Sequence, residues 1–213
     1  MSLAQRLALL QWAREANAWI VEDDYDSEYR FGARPVEALQ GLDRANRVIY
    51  IGTFSKVLFP SVRLGYLVVP AGLMKLFATA QLFQNVHPPL LEQMALADFL
   101  AEGHFARHLR RMRLLYAARQ EALLTSIRSE CGHLLEAQAP AAGMHLVGWL
   151  APGMADTEIE HRAAQRGIEV VALSTMSRQP MQRGGLVLGY AGCSEEQIQV
   201  GVRILAQVLR SVG

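Results

Sequence analysis

Three short apolar runs constrain this chain more than any other feature. Trp19-Ile20-Val21, Val48-Ile49-Tyr50-Ile51 and Leu64-Gly65-Tyr66-Leu67-Val68-Val69 show no polar alternation. A strand with one face in water alternates apolar and polar residues, so unalternated runs predict strands covered on both faces of a sheet. Strands are therefore expected over 19–22, 48–51 and 64–69. Helical spacing surrounds them. Leu3, Leu7, Leu10 and Trp12 mark a helix over 3–16, another is expected over 72–84, and Pro88-Pro89 punctuates before the next. From Leu90 the pattern stays helical to about Arg128, interrupted near Gly103.

Beyond Cys131 the pattern predicts a strand over His145–Leu150, a helix over 156–166, strands over 168–173 and 186–191, and a closing helix over 194–211. Ser194 followed by Glu195 and Glu196 is a good N-cap with acids in the first turn. These elements suffice for a small α/β domain. The three upstream strands, with little helix around them, do not make an independent domain. They read as the tail of a larger sheet whose first strands lie outside the chain, and Met1-Ser2-Leu3 entering directly on a helix fits that reading. The expected division is a partial large domain over 1–88, connecting helices over 89–130 and a small domain over 131–213.

Composition narrows the function classes. The chain is 51% apolar, enough for a core. Its 21 Lys and Arg against 20 Asp and Glu leave +1, which argues against a basic face for nucleic acid. Two cysteines, Cys131 and Cys193, exclude a disulfide scaffold and disfavour a Cys-rich zinc module. No apolar run is long enough to span a membrane, and the N-terminus has no secretory leader, so a cytoplasmic protein is expected.

Two clusters carry candidate chemistry. Glu22-Asp23-Asp24-Tyr25-Asp26 follows the first strand directly. It reads either as a polar loop or as a ligand site, since open α/β sheets place ligands at the carboxyl ends of their strands; it lacks the spacing and glycine of a hard-cation loop. Gly52-Thr53-Phe54-Ser55-Lys56 follows the second strand, and Lys56 is an isolated cation ahead of Val57-Leu58-Phe59-Pro60. Partial burial would lower such an amine's pKa and leave it able to attack a carbonyl. Arg63, with Thr53 and Ser55, could clamp a phosphate.

The segments EDDYDSEYR (22–30) and YIGTFSKVLFPSVRLGY (50–66) closely resemble the aminotransferase-like domain of MocR-type regulators, in the GntR family of bacterial transcription factors. LLEQMALADFLAEGHFARHLRRMRLLY, GMHLVGWL and GLVLGYA look similar too, so the resemblance runs through essentially the whole chain. It implies an α/β fold: the last strands of a fold-type-I, pyridoxal-phosphate (PLP)-dependent transferase large domain, plus the α/β small C-terminal domain. It also implies roles for single residues. Lys56 looks like the lysine that forms the imine with PLP. Asp23 looks like the carboxylate on the pyridinium nitrogen, keeping the ring an electron sink. Tyr25 is similar to the tyrosine that donates to the phenolic oxygen, and Thr53, Ser55 and Arg63 match positions around the phosphate. Asp24 and Asp26 receive no role and read as solvated or capping acids.

The resemblance further implies a homodimer, an amino-acid or amine effector, and DNA contact only through an N-terminal winged helix-turn-helix outside this chain. In the family the preceding half supplies the phosphate-binding glycine turn and the aromatic that stacks on the pyridine, so weak or absent PLP binding is expected of these residues alone. The chain departs from aminotransferases at Val187, where an arginine commonly binds the substrate carboxylate. Arg178 and Arg183 nearby read as solvated. A class I/II aminotransferase acting on an amino acid is the alternative function, and a folding module without activity a third. The run His104, Arg107, His108, Arg110, Arg111 and Arg113 interleaves with apolar residues as in an ordinary amphipathic helix and reads as a solvated or interdomain face. His87, His133, His145 and His161 lack metal-ligand spacing.

Overall fold

A computed structural model describes residues 1–31, 37–85, 89–140 and 142–212. His87 and Pro88 lie outside the described residues. The elements run α1 (Leu3–Glu15), β1 (Ile20–Asp24), α2 (Leu39–Leu42), β2 (Val48–Thr53), β3 (Gly65–Val68), α3 (Met74–Asn85), α4 (Leu90–Ala101), α5 (His104–Glu130), β4 (Leu135–Ala137), β5 (His145–Leu150), α6 (Asp156–Ala164), β6 (Val171–Ala172), β7 (Gly185–Gly189) and α7 (Glu195–Val212). The chain divides into two compact units, Met1–Glu28 with Arg34–Leu109, and Tyr29–Ala33 with Arg110–Gly213.

The first unit holds a three-stranded sheet in the order β1-β2-β3, with β1 and β2 parallel and β2 and β3 antiparallel. α1 starts at a capping box: the Ser2 hydroxyl accepts from the Gln5 N–H and the Gln5 side chain accepts from the Ser2 N–H. Its Ala13, with Leu9 and Leu10, packs on Ile20, Leu39 and Val48, a small cluster. The unalternated runs point to strands that need cover on both faces, and among the described residues of this chain that cover is missing. Val21 is 61% exposed, and β3 is exposed along its whole length. The described helices of this unit are too few to cover the sheet. An open cleft of about 1100 Å³, lined by Phe54, Tyr66, Leu67, Met74, Phe77 and Leu100 among others, shows the gap.

The second unit holds a four-stranded antiparallel sheet in the order β4-β5-β7-β6. Here alternation does its usual work: Leu186, Leu188 and Tyr190 share one face of β7 and its continuation, and all are buried. They meet Ile198, Val202, Leu205 and Leu209 along one stripe of α7. α7 begins where expected, with the Ser194 hydroxyl accepting from the Gln197 N–H at 3.2 Å. The strand expected over 168–173 shrinks to β6, because the Asp156 carboxylate takes the N–H and hydroxyl of Ser174 and draws the chain into a 3-10 turn over Leu173–Met176. β4 was not anticipated; Leu-Glu-Ala has no strand signature and pairs at the sheet edge.

Candidate functional site

The parallel register fixes where the two sequence clusters meet. Asp23 lies opposite Ile51 and Asp24 opposite Gly52. Adjacent strands are about 4.8 Å apart, so the carboxyl ends of β1 and β2 form one edge. Asp23 and Tyr25 leave that edge from β1; Thr53, Ser55 and Lys56 leave it from β2.

Period-two alternation separates the three acids at the end of β1. Glu22 and Asp24 share one face, Val21 and Asp23 the other. The Glu22 carboxylate accepts from the N–H groups of Leu39 and Gln40 at 2.9 and 3.0 Å, capping α2. Asp24 accepts from the Ser27 N–H at 3.2 Å, the Ser27 hydroxyl at 2.7 Å and the Tyr50 hydroxyl at 2.8 Å. Burial, followed by the bonds to Asp24 and Tyr66, pushes the Tyr50 phenol far above its ordinary pKa, so it stays protonated as the donor. Asp24 is thus a capping acid, and the solvated reading of it falls. Asp23 is exposed, and its carboxylate bonds to no other described residue. Both neighbours are bound into structure, and the carboxylate between them faces outward.

The Lys56 turn is built from short-range bonds. The Thr53 hydroxyl accepts from the Ser55 N–H at 3.2 Å, the Leu58 N–H donates to Phe54 O at 2.9 Å, and the Phe54 N–H donates to Leu64 O at 3.0 Å. The turn sends Val57 wholly inside and Lys56 outward. The partial burial expected of Lys56 is therefore not found: its apolar neighbours take the inward positions and leave the amine exposed. Thr53 and Ser55 are half-buried, Tyr25 and Arg63 exposed. Arg63 follows the 3-10 turn Pro60–Val62 with φ of 48° and ψ of 28°, a left-handed conformation that costs a side-chain-bearing residue about 1–2 kcal/mol.

Several residues of this region escaped the sequence reading. Tyr66 lies across Gly52, where an added Cβ would come within 2.3 Å of the ring, so glycine is what admits the close approach. Tyr66 also meets Phe54 at 5.6 Å between centroids and Tyr50 at 6.0 Å. His108, counted among solvated basic residues, is half-buried and bonds to Val57 O. Gly52 inside β2 was the available signal for Tyr66, since glycine in a strand marks a close approach; none marked His108.

In the second unit Val187 pairs with Val147 and Val171, and no guanidinium stands at that position. Arg183 is not solvated as expected: it donates to the Glu136 carboxylate at 2.9 Å and to Leu150 O. Among the described residues no cluster of His, Cys, Asp or Glu could hold a metal ion, and no helix is long and apolar enough to cross a membrane.

The donor set suits PLP. A carboxylate matches a protonated ring nitrogen, a phenol matches a phenolate oxygen, a primary amine matches an aldehyde, and a guanidinium with two hydroxyls matches a phosphate. All leave one sheet edge or the turns that follow it. No protein-family profile matches the chain. It is 46% identical over 206 residues to the probable rhizopine catabolism regulatory protein MocR of Rhizobium meliloti, covering 96% of this chain and 42% of that protein. It is 38% identical over 205 residues to the HTH-type transcriptional regulator YhdI of Bacillus subtilis, covering 96% of this chain and 44% of that protein. The chain thus spans less than half the length of either regulator. Among solved structures it is similar to LysN, the alpha-aminoadipate aminotransferase of Thermus thermophilus complexed with N-(5'-phosphopyridoxyl)-L-leucine. The TM-score is 0.87 and the identity 30%, over 99% of this chain and 55% of that one.

Proposed function

We propose a function for a chain that belongs to the MocR-type regulators of the GntR family and carries the fold-type-I aminotransferase fold: it is a PLP-binding effector domain, with the cofactor held on Lys56. The single observation that carries this reading is the register that brings Asp23 and Tyr25 to the same sheet edge as Thr53, Ser55 and Lys56. Lys56 would hold the cofactor through its amine, the group that suits an aldehyde. When bound, the cofactor supplies an electron sink for amine chemistry. Asp23 would accept the ring N–H and keep the nitrogen protonated, Tyr25 would donate to the phenolic oxygen, and Thr53, Ser55 and Arg63 would bind the phosphate.

In the whole protein this edge belongs to a homodimer responding to an amino-acid or amine effector, in the cytoplasm. A winged helix-turn-helix outside this chain reads DNA. Residues 1–88 form part of the large domain, 89–130 the connecting helices and 131–213 the small domain. These residues alone bind PLP weakly, because their half of the site is open to water. A second reading, a class I/II aminotransferase, draws support from the likeness to LysN. Val187 among valines weighs against it, since a substrate carboxylate has no bidentate partner there.

The test uses the full-length gene product. Borohydride reduction after PLP addition, followed by peptide mapping, is expected to place the pyridoxyl group on Lys56 and to label nothing in Lys56→Ala. Label spread over other lysines, or unchanged in the variant, would overturn the assignment.

A further inference from the structure

We infer that His108 is a positioning residue for Lys56: from the second turn of α5, its imidazole holds the backbone of the turn that carries the lysine. The inference rests on reading Lys56 as the cofactor lysine, and goes beyond it. His108 Nε2 lies 2.9 Å from Val57 O, a contact between residues 51 apart in sequence. A carbonyl oxygen only accepts, so Nε2 carries the hydrogen and donates. Val57 is the residue after Lys56 and is wholly enclosed, so its carbonyl cannot exchange this partner freely for water.

The same face of α5 holds the other end of the turn. Phe105, three residues before His108, meets Phe54 edge-on, with ring centroids 5.9 Å apart and planes at 71°. Phe54 O accepts the Leu58 N–H that closes the turn. Lys56 itself is exposed and makes no bond to a described residue, so nothing on its own side chain fixes the amine. Its position is inherited from a backbone clamped on both sides by α5, at Phe54 through a ring and at Val57 through a hydrogen bond. Misplacing a reacting amine by about 1 Å is costly to bond formation.

The experiment compares His108→Leu, which removes the donor, with His108→Gln, whose amide nitrogen reaches about as far as Nε2, in the full-length gene product. The first readout needs no cofactor: amide hydrogen exchange across residues 54–58. Exchange there is expected to speed about tenfold in His108→Leu and stay within about twofold of wild type in His108→Gln, equivalent to about 1.4 kcal/mol for the lost bond. The second is the pyridoxyl label reduced onto Lys56 at limiting PLP, expected to fall about tenfold in His108→Leu and recover in His108→Gln. Unchanged exchange in His108→Leu would overturn the clamp. So would equal losses in both variants, which would make the imidazole a packing group only. Should the variants show the exchange difference while wild type takes no label at Lys56, the cofactor reading fails and the clamp stands. Normal exchange differences with normal labelling in both variants would overturn the positioning role.

Discussion

The two units of this chain solve the burial problem differently. In the second, Leu150, Ile159, Leu186 and Leu209 are completely enclosed, and one amphipathic stripe of α7 covers the sheet. In the first, the buried cluster is four residues, while Phe83 is 83% exposed and Leu91 79%. Exposed apolar surface on that scale is rare on a stable monomer. The candidate chemistry sits entirely in the unit that leaves its sheet open. Stability and chemistry therefore separate along the chain, and substitutions should separate with them.

The largest expected effect tests that separation directly. Leu186→Ala empties a fully enclosed position and should cost about 2–5 kcal/mol in denaturant unfolding. Leu67→Ala, in β3 and 49% exposed, should cost less than about 1 kcal/mol. Losses of similar size would mean that the first sheet is covered in solution, and the contrast between the units would collapse.

Asp156 offers a sharper probe of the second unit. Burial raises its pKa, but the Ser174 hydroxyl and the N–H groups of Ser174, Gly185 and Thr157 outweigh that and hold the carboxyl below its ordinary value. A pKa depressed in the folded state means that the contribution is complete above the unfolded value, about 3.9, and is lost as pH falls through the folded one. Asp156→Asn turns an amide donor toward those donors and should cost about 1–3 kcal/mol at neutral pH. The difference from wild type should narrow below about pH 4. A gap constant down to pH 2 would show that the carboxylate charge is not what holds the Ser174 turn.

The same alternation that made the fold legible also explains what escaped it. Apolar runs located all three strands of the first sheet, and a serine before two acids located the start of α7. The runs could not show that β3 is uncovered, because residue type records a preference for burial and not the surface that supplies it. At the site, the motifs marked Asp23, Tyr25 and Lys56 by resemblance and left Asp24 as a solvated or capping acid, without naming what it or Glu22 would hold. Glu22 finds its partners at Leu39 and Gln40, and Asp24 reaches Tyr50 besides the nearby Ser27, so the deciding contacts lie 17 to 26 residues on. Contacts at that separation are written in topology. Asp156 was silent for the same reason: its partners are 18 and 29 residues distant.

That division of labour among acids predicts a crossover inside the first unit. Asp24→Ala removes the acceptor of three hydrogen bonds and should lower stability by about 1–2 kcal/mol. Asp23→Ala removes a carboxylate with no bond to a described residue and should leave stability within about 0.5 kcal/mol of wild type while weakening PLP retention. Thermal unfolding without PLP and absorbance titration with it separate the two. A loss of stability in Asp23→Ala equal to that of Asp24→Ala would show that the wrong carboxylate was assigned to the ligand.

The smallest expected effect on stability comes from Arg63. Its left-handed backbone costs about 1–2 kcal/mol, which glycine relieves, whereas glycine's larger unfolded-state entropy takes back about 0.5–1 kcal/mol. Arg63→Gly should therefore be neutral to about 1.5 kcal/mol more stable. The strain at Arg63 motivates a test of whether its guanidinium serves a ligand. If that ligand is a phosphate, full-length wild type should prefer PLP to pyridoxal, and Arg63→Gly should lose most of that preference at undiminished stability. A variant that is less stable and discriminates as well as wild type would show that Arg63 serves the turn, and would remove it from the phosphate site.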